Sequence, residues 1–197
     1  MNMQAIGLFV VAATALLGSP GPGIAALLAV GRSQGWPGGL RYYAGLQVGL
    51  ALVVIICGAG LVSLLAVYPA VIRVMVVAAV VYLVYLSYAI ATSPVGKDQP
   101  DRSGTYSSFA GLLLGITNPK AYLAISALLA SPLQLAAAES SNIALKIALC
   151  IAVIVIVDIV WLWIGVAVGR TKMTDRGERT MNVAMAATIL IATAFSV

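Results

Sequence analysis

An asparagine, a proline and a lysine stand together in the middle of an apolar stretch of the sequence. They are Asn118, Pro119 and Lys120, in the segment GITNPKAYLAIS at residues 115–126. In a membrane-spanning helix the proline removes a backbone hydrogen bond, and a charge at mid-membrane costs about 2.5–3.5 kcal/mol even on the lenient insertion scale. Asparagine, however, is a good helix N-cap, and proline suits the first position of a helix. The three residues therefore predict a broken helix that restarts beside a positive charge.

A second interruption lies in the first apolar segment, LLGSPGPGIAALL at residues 16–28. Four of its five prolines and glycines form an unbroken run, Pro20, Gly21, Pro22 and Gly23. Ser19 before Pro20 offers the same pairing of N-cap and first-turn proline as Asn118 and Pro119. The two interruptions lie about half the chain length apart, each near the middle of the first span of its half. Broken spans at matching positions are the best sequence indication of a transporter binding site.

The paired breaks predict a site for an anionic group. Helix N-termini carry partial positive charge and unbonded N–H groups, both of which favour anions, and Lys120 adds a full charge in the same turn. Unwound backbone at membrane depth is tolerated only where it is buried in protein or lines a wet cavity, so we expect the breaks to face each other at the centre. The expected ligand group is a carboxylate. The alternative is that these prolines and glycines only kink packed helices.

Two further polar side chains lie deep in apolar segments. Asp158, in VIVIVDIVWLW, is the one acid of six that lies deep inside a predicted span. It could carry a coupling proton or bind a substrate ammonium group, since intramembrane acids are functional candidates by default. The alternative is a structural ion pair with Lys120 or a hydrogen bond to a neighbouring span. Gln47, in YYAGLQVGLAL, could belong to the site or join two helices by a hydrogen bond worth about 1–2 kcal/mol.

The composition is that of a polytopic membrane protein without a separate soluble domain. Hydrophobic residues make up 62% of the 197 residues and charged residues 9%, and the mean hydropathy is +1.07. A soluble domain is about one-quarter charged. Histidine is absent, which argues against a zinc or copper site, and no cofactor is expected. The first residues, MNMQAIG, lack the basic region of a signal peptide.

Six apolar segments are candidate transmembrane helices, which need about 20 residues each. They lie at residues 3–31, 41–65, 69–91, 107–131, 143–168 and 181–197. Three spans per half oblige the second half to enter the membrane from the opposite side. The predicted fold is therefore all-α, with two inverted three-helix repeats whose first helices are broken. A single membrane domain over 1–197 would comprise a first repeat at 1–91, a cytoplasmic loop at 92–106 and a second repeat at 107–197.

Lysines and arginines in the connections predict the orientation, because cytoplasmic loops carry an excess of both. Two of them, Arg73 and Lys146, fall on one side of the predicted spans and eight on the other. The eight are Arg32, Arg41, Lys97, Arg102, Arg170, Lys172, Arg176 and Arg179. We therefore expect an inner (plasma) membrane protein with both termini outside. The net charge of +5 reflects these loops, and no nucleic-acid partner is expected.

Glycines recur at four-residue spacing, as they do in membrane helices that approach each other closely. The pairs are Gly31/Gly35, Gly45/Gly49, Gly111/Gly115 and Gly165/Gly169. We expect them to pack helices within one bundle. A contact between copies in a homo-oligomer is the alternative.

With these motifs the sequence resembles the lysine-exporter (LysE/RhtB) family of amino-acid efflux proteins. The similarity rests on SPGPG with the following GRSQGWPGGLRYYAGLQVG, on VVYLVYLSYAI, on GLLLGITNPKAYLAISALL and on VDIVWLWIG, in order along essentially the whole chain. It implies proton-driven export of amino acids or close derivatives across the inner membrane, by a transporter rather than an enzyme. The family's pattern carries over onto Pro20, Gly21, Pro22, Asn118, Pro119 and Lys120, and more loosely onto Asp158. The stretch AYLAISALLASP is rich in Ala and Ser where many relatives carry several Phe, which implies a smaller or differently shaped pocket.

Two other functions fit parts of the sequence. A membrane thiol–disulfide carrier would use Cys57 and Cys150, which lie in corresponding spans. Both cysteines, however, stand among aliphatic residues, and apolar surroundings make a thiol less reactive. The second is export of other small ions or metabolites, although the absence of histidine and of an acid cluster argues against a divalent metal. No nucleophile–base set and no nucleotide-binding loop indicates an enzyme.

Overall fold

Every regular element that the structure describes is an α-helix, which confirms the all-α class. The computed structural model describes residues 2–19, 21–60, 69–92, 106–170 and 174–194. Its helices are α1 (Met3–Gly18), α2 (Pro22–Gly58), α3 (Pro69–Ala91), α4 (Ser108–Thr117), α5 (Pro119–Leu129), α6 (Glu139–Gly169) and α7 (Asp175–Ala194). Most of the predicted loop at 92–106 lies outside the described residues, and so do Pro20, Lys97, Arg102 and Lys172.

Two of the described helices, α2 and α6, are long and apolar enough to cross a membrane. Helices α4 and α5 together form a third candidate as one broken span, bent by 55° at the residue between them. Helix α1 is apolar but shorter. The fourth predicted span therefore has the predicted break, whereas the arrangement of six spans as inverted repeats stays a prediction.

Several helix ends differ from the predicted spans. Helix α3 coincides with the predicted span at 69–91, but α6 begins at Glu139 and α7 at Asp175, earlier than predicted. An acidic side chain in the first turn, Glu139, stabilises the early start of α6 by interacting with the helix dipole. Arg176 consequently lies on a helix rather than in the predicted connection.

The predicted connection between the first two spans is almost absent. Residues 32–40 remain helical within α2, except at Gly35, which has φ 61° and ψ −157°. This conformation is essentially restricted to glycine, so one residue joins the two helical parts of α2. Gly35 accordingly makes a bend rather than a helix contact, and a Cβ placed there would meet only the Pro37 ring, 4.0 Å away. The prediction that Gly31 and Gly35 act as a packing pair is therefore wrong for Gly35.

Helix α2 lies at the centre of the packing. Its most extensive contacts are with α6 and α4, and it also touches α5 and α7. Helix α1 packs on α6 and α5, while α3 packs mainly on α7. Helices of the first half of the chain thus pack largely against helices of the second half. The fully buried side chains of this core include Phe9, Tyr42, Leu46, Leu114 and Leu162.

Glycines permit the closest of these contacts. A Cβ on Gly49 would lie 2.6 Å from the Leu112 carbonyl oxygen and 2.9 Å from the Gly115 Cα. A Cβ on Gly165 would lie 2.5 Å from the Leu28 carbonyl oxygen. These neighbours are backbone atoms, which cannot move aside without shifting a helix. The prediction that the glycine pairs pack helices within the bundle is confirmed for Gly45/Gly49, Gly111/Gly115 and Gly165/Gly169.

We predict that Gly115→Ala destabilises the fold. The new methyl group would lie 2.8 Å from the Leu46 carbonyl oxygen and 2.9 Å from the Gly49 Cα, and overpacking of this kind typically costs about 1–3 kcal/mol. The melting temperature of the detergent-purified protein should fall. Gly7→Ala is the matched control, because a Cβ there meets nothing within 4 Å. Equal melting temperatures for the two variants would contradict the assigned packing.

Candidate functional site

The break between α4 and α5 is made by local side-chain chemistry. Asn118 leaves the helical conformation, with φ −73° and ψ 103°, and its side-chain oxygen accepts a hydrogen bond of 3.2 Å from the Lys120 backbone N–H. Pro119 takes the first position of α5, where its missing N–H would have no helical partner. The predicted N-cap and first-turn proline are therefore confirmed. Asn118 itself is buried.

The break between α1 and α2 restarts later than predicted. Ser19 ends α1, and its hydroxyl donates back to the Leu16 carbonyl at 2.9 Å. Gly21 is the N-cap of α2, without a side-chain hydrogen bond, and Pro22 is the first helical residue. The predicted pairing of Ser19 with Pro20 as cap and first residue is thus wrong, because the Ser19 side chain is engaged with the preceding helix. Pro20 lies outside the described residues.

Lys120 joins the two breaks. Its ammonium group donates to the Ser19 carbonyl, which is exposed where α1 ends. Its side chain passes close to Gly21, since a Cβ there would lie 2.8 Å from the Lys120 Cδ and 3.0 Å from its Nζ. A Cβ on Gly23 would lie 3.7 Å from the Asn118 side-chain nitrogen. The residues of both interruptions therefore meet at one place.

Asp158 reaches the same place from α6. It is 6% exposed, and its carboxylate accepts a hydrogen bond of 2.8 Å from the Gln47 side-chain amide of α2. The charges of Asp158 and Lys120 are close enough to interact electrostatically. Gln47 thus links α2 to α6 through Asp158, but it is not among the described residues that line the cavity, so its role in binding substrate stays a prediction.

A cavity of about 440 Å³, including the space at its mouth, lies between these residues. Its polar lining comes from Asn118, Lys120 and Asp158, with Gly21 and Gly23 beside them. Pro22 and Pro119 set the starts of α2 and α5, and neither is among the described residues that line the cavity. The aliphatic lining, whose residues were not among the predicted site residues, consists of Leu16, Leu17, Ile24, Leu46, Leu50, Ala121, Ala124 and Ile154.

Besides the small residues after Lys120, helical spacing was the signal for these missed residues. Side chains four positions apart share a helix face, so Ile154 follows from Asp158. The same rule relates Leu46 to Leu50, and Ala124 to Lys120. Which aliphatic residues meet across helices depends on tertiary packing, for which a single sequence gives no signal.

A fully buried lysine lies away from the cavity. Lys146 of α6 is 3% exposed, and its ammonium donates to the carbonyls of Leu129 at 3.3 Å and Ser131 at 2.6 Å. Lys146 was predicted to lie near a loop on the outer side, but its side chain is turned inward and holds the end of α5. The buried Lys146 and the half-buried Lys120 therefore both bind carbonyl groups where a helix ends.

The cysteines also lie apart from the cavity. Cys57 and Cys150 are free thiols, and the Cys57 sulfur accepts a hydrogen bond of 3.6 Å from the Ser126 hydroxyl. The lining contributed by the described residues contains no cysteine. In the part of the chain that the structure describes, no group of three or more His, Cys, Asp or Glu side chains could hold a metal ion.

Comparison with known proteins gives matches of two kinds. The model of the family described as "LysE type translocator" matches residues 14–197. Cysteine/O-acetylserine efflux proteins of Escherichia coli (strain K12) and Shigella sonnei (strain Ss046) are each 32% identical over 94 residues, 47% of this chain and 48% of the relative. The chain thus matches about half the length of these relatives. No solved structure matches.

Proposed function

The chain belongs to the LysE type translocator family, and from this membership and the site we propose that it exports amino acids or close derivatives across the inner membrane. One observation carries the proposal: a cation and a carboxylate, Lys120 and Asp158, line one cavity where two broken helices meet. An amino acid carries the complementary pair of charges. The similarity to proteins named as exporters of cysteine and O-acetylserine supports the same class of substrate.

The substrate carboxylate is assigned to the Lys120 side of the cavity. Helix α5 starts there, and its first N–H groups and dipole favour an anion. The short Gly21 backbone leaves room for the Lys120 side chain to reach this position.

The substrate ammonium group is assigned to Asp158. Hydrogen bonds to ionised groups are stronger than those between neutral groups, and Gln47 holds one carboxylate oxygen in place at 2.8 Å. In the empty transporter a proton would occupy this carboxylate in place of the substrate. Alternate occupation by substrate and proton would couple export to the proton gradient.

Alternating access completes the proposal. Two inverted three-helix repeats, with both termini outside, would rock against each other around the site in the manner of other transporters built from broken helices. The contacts of α2 with α4 and α6 support the proposed rocking of the two halves. Glycines at these contacts let helix backbones from the first and second half of the chain touch without side chains between them.

Efflux from intact cells tests the proposed function. Cells preloaded with dipeptides release amino acids inside, and the appearance of each amino acid in the medium is compared with and without the protein. We expect one or a few amino acids to leave several-fold faster when the protein is present. If no amino acid leaves faster, amino-acid export is the wrong function, and other small ions or metabolites take its place.

A further inference from the structure

We propose that the transported substrates are neutral amino acids with small aliphatic or uncharged side chains, and that Ala124 sets the size limit. This inference rests on the proposed function and refines it. The inference follows from two features of the cavity: where its charged side chains lie, and which residues line the rest of it.

The two charged side chains of the described lining are of opposite sign, and both are assigned to the backbone groups of the substrate. Lys120 and Asp158 meet the α-carboxylate and the α-ammonium group. Asn118 is the remaining polar side chain of the described lining, and its oxygen already accepts from the Lys120 N–H. A substrate with a charged side chain would therefore place that charge against hydrocarbon, and an unpaired buried charge is strongly disfavoured.

The rest of the lining is aliphatic and comes from several helices. Leu46 and Leu50 belong to α2, Ile154 to α6, and Ala121 and Ala124 to α5. Ile154 lies one turn from Asp158, and Ala124 one turn from Lys120, so the aliphatic wall borders both charged groups. A substrate held at both charges has its side chain against this wall.

Alanine is the smallest residue of this wall, and both alanines are on α5. Ala121 and Ala124 are 5% and 8% exposed, and both line the cavity. A larger residue at position 124 would remove space that the substrate side chain needs.

The test is a competition assay on the full-length protein in cells. Cells are loaded with dipeptides that release alanine, leucine, lysine and aspartate together inside the cell. The export of each of these four amino acids is then measured while the other three compete with it. For the wild type we expect alanine and leucine to be exported at least about tenfold faster than lysine or aspartate, a ratio typical of discrimination at an apolar pocket. For Ala124→Leu we expect the leucine-to-alanine ratio to fall by about tenfold.

Ala127→Leu is the matched control. Ala127 is on the same helix but exposed on its outer face, so the leucine-to-alanine ratio should stay at the wild-type value. If Ala124→Leu does not accumulate in the membrane, Ala124→Val replaces it with the same expectation. An unchanged ratio in the position-124 variant overturns the assignment of Ala124.

The outcomes separate this inference from the proposed function. Export of lysine or aspartate as fast as leucine overturns the inference and leaves amino-acid export standing. A wild type that exports no amino acid overturns both.

Discussion

Replacing Asp158 by asparagine should reduce amino-acid export by about 10- to 100-fold while leaving the protein folded. A hydrogen bond to a charged group is worth about 1.5–3 kcal/mol, and each 1.4 kcal/mol corresponds to roughly a factor of ten. Asparagine has nearly the same shape as aspartate and can still accept the 2.8 Å hydrogen bond from Gln47. The substitution therefore removes the charge and the proton-binding group without removing the link between α2 and α6.

Export from dipeptide-loaded cells measures this effect, with the amount of membrane-inserted protein determined in parallel. Glu139→Gln is the control, because it makes the same chemical change at an exposed position on the same helix. It should export at the wild-type rate. An Asp158→Asn protein that exports normally would show that Asp158 is structural and that the coupling proton is carried elsewhere.

Replacing Lys120 by methionine should weaken carboxylate recognition by a similar factor, about 10- to 100-fold, since it also removes a charged hydrogen-bond donor. Methionine keeps much of the length and apolar surface of the lysine stem. It cannot donate to the Ser19 carbonyl or hold a substrate carboxylate. The quantity to measure is the binding of an amino acid relative to that of the amine that lacks its carboxylate. The wild type should bind the amino acid better, and the variant should lose this preference.

Lys146→Met is the comparison for this prediction. Both lysines bind carbonyls at helix ends, but Lys146 is fully buried and contacts Leu129 and Ser131 away from the cavity. Its loss should lower the free energy of unfolding by about 1.5–3 kcal/mol and leave the preference for the carboxylate intact. If both variants are destabilised and both keep the preference, Lys120 is a structural lysine like Lys146.

The second break shows what a single sequence can predict about this site. Asn118 and Pro119 were identified as cap and first helical residue because capping depends on neighbouring residues alone. The first break shows the limit. Its run of prolines and glycines offers several starting points, and the Ser19 hydroxyl bonds to Leu16 instead of capping α2.

The partners of the charged side chains inside the protein could be predicted only in part. Asp158 was identified because an acid is rare inside an apolar segment, but its partner in the structure is Gln47 as well as Lys120. The inward turn of Lys146 was missed, since its position near the predicted helix end fits a loop equally well. Both outcomes depend on which helix faces lie together.

Most of the residues that shape the cavity could not be predicted from the sequence. Leucine, isoleucine and alanine occur on every face of these apolar helices, so their types do not distinguish the wall of a cavity from a surface in contact with lipid. The small residues after Lys120 did suggest a smaller pocket, and Ala121 and Ala124 are found in its lining. The bend at Gly35 was equally hidden, because glycine at that spacing also indicates helix packing.

Amino-acid counterflow with purified protein in liposomes tests most directly whether the protein transports amino acids through the cavity between the two breaks. Vesicles loaded with unlabelled leucine are diluted into labelled leucine, and the uptake of label is compared for the wild type, Asp158→Asn and empty vesicles. We expect transient accumulation of label with the wild type and almost none with the variant. Equal uptake by wild-type and empty vesicles would contradict transport of this substrate, and equal uptake by wild type and variant would contradict the role of the cavity between the two breaks.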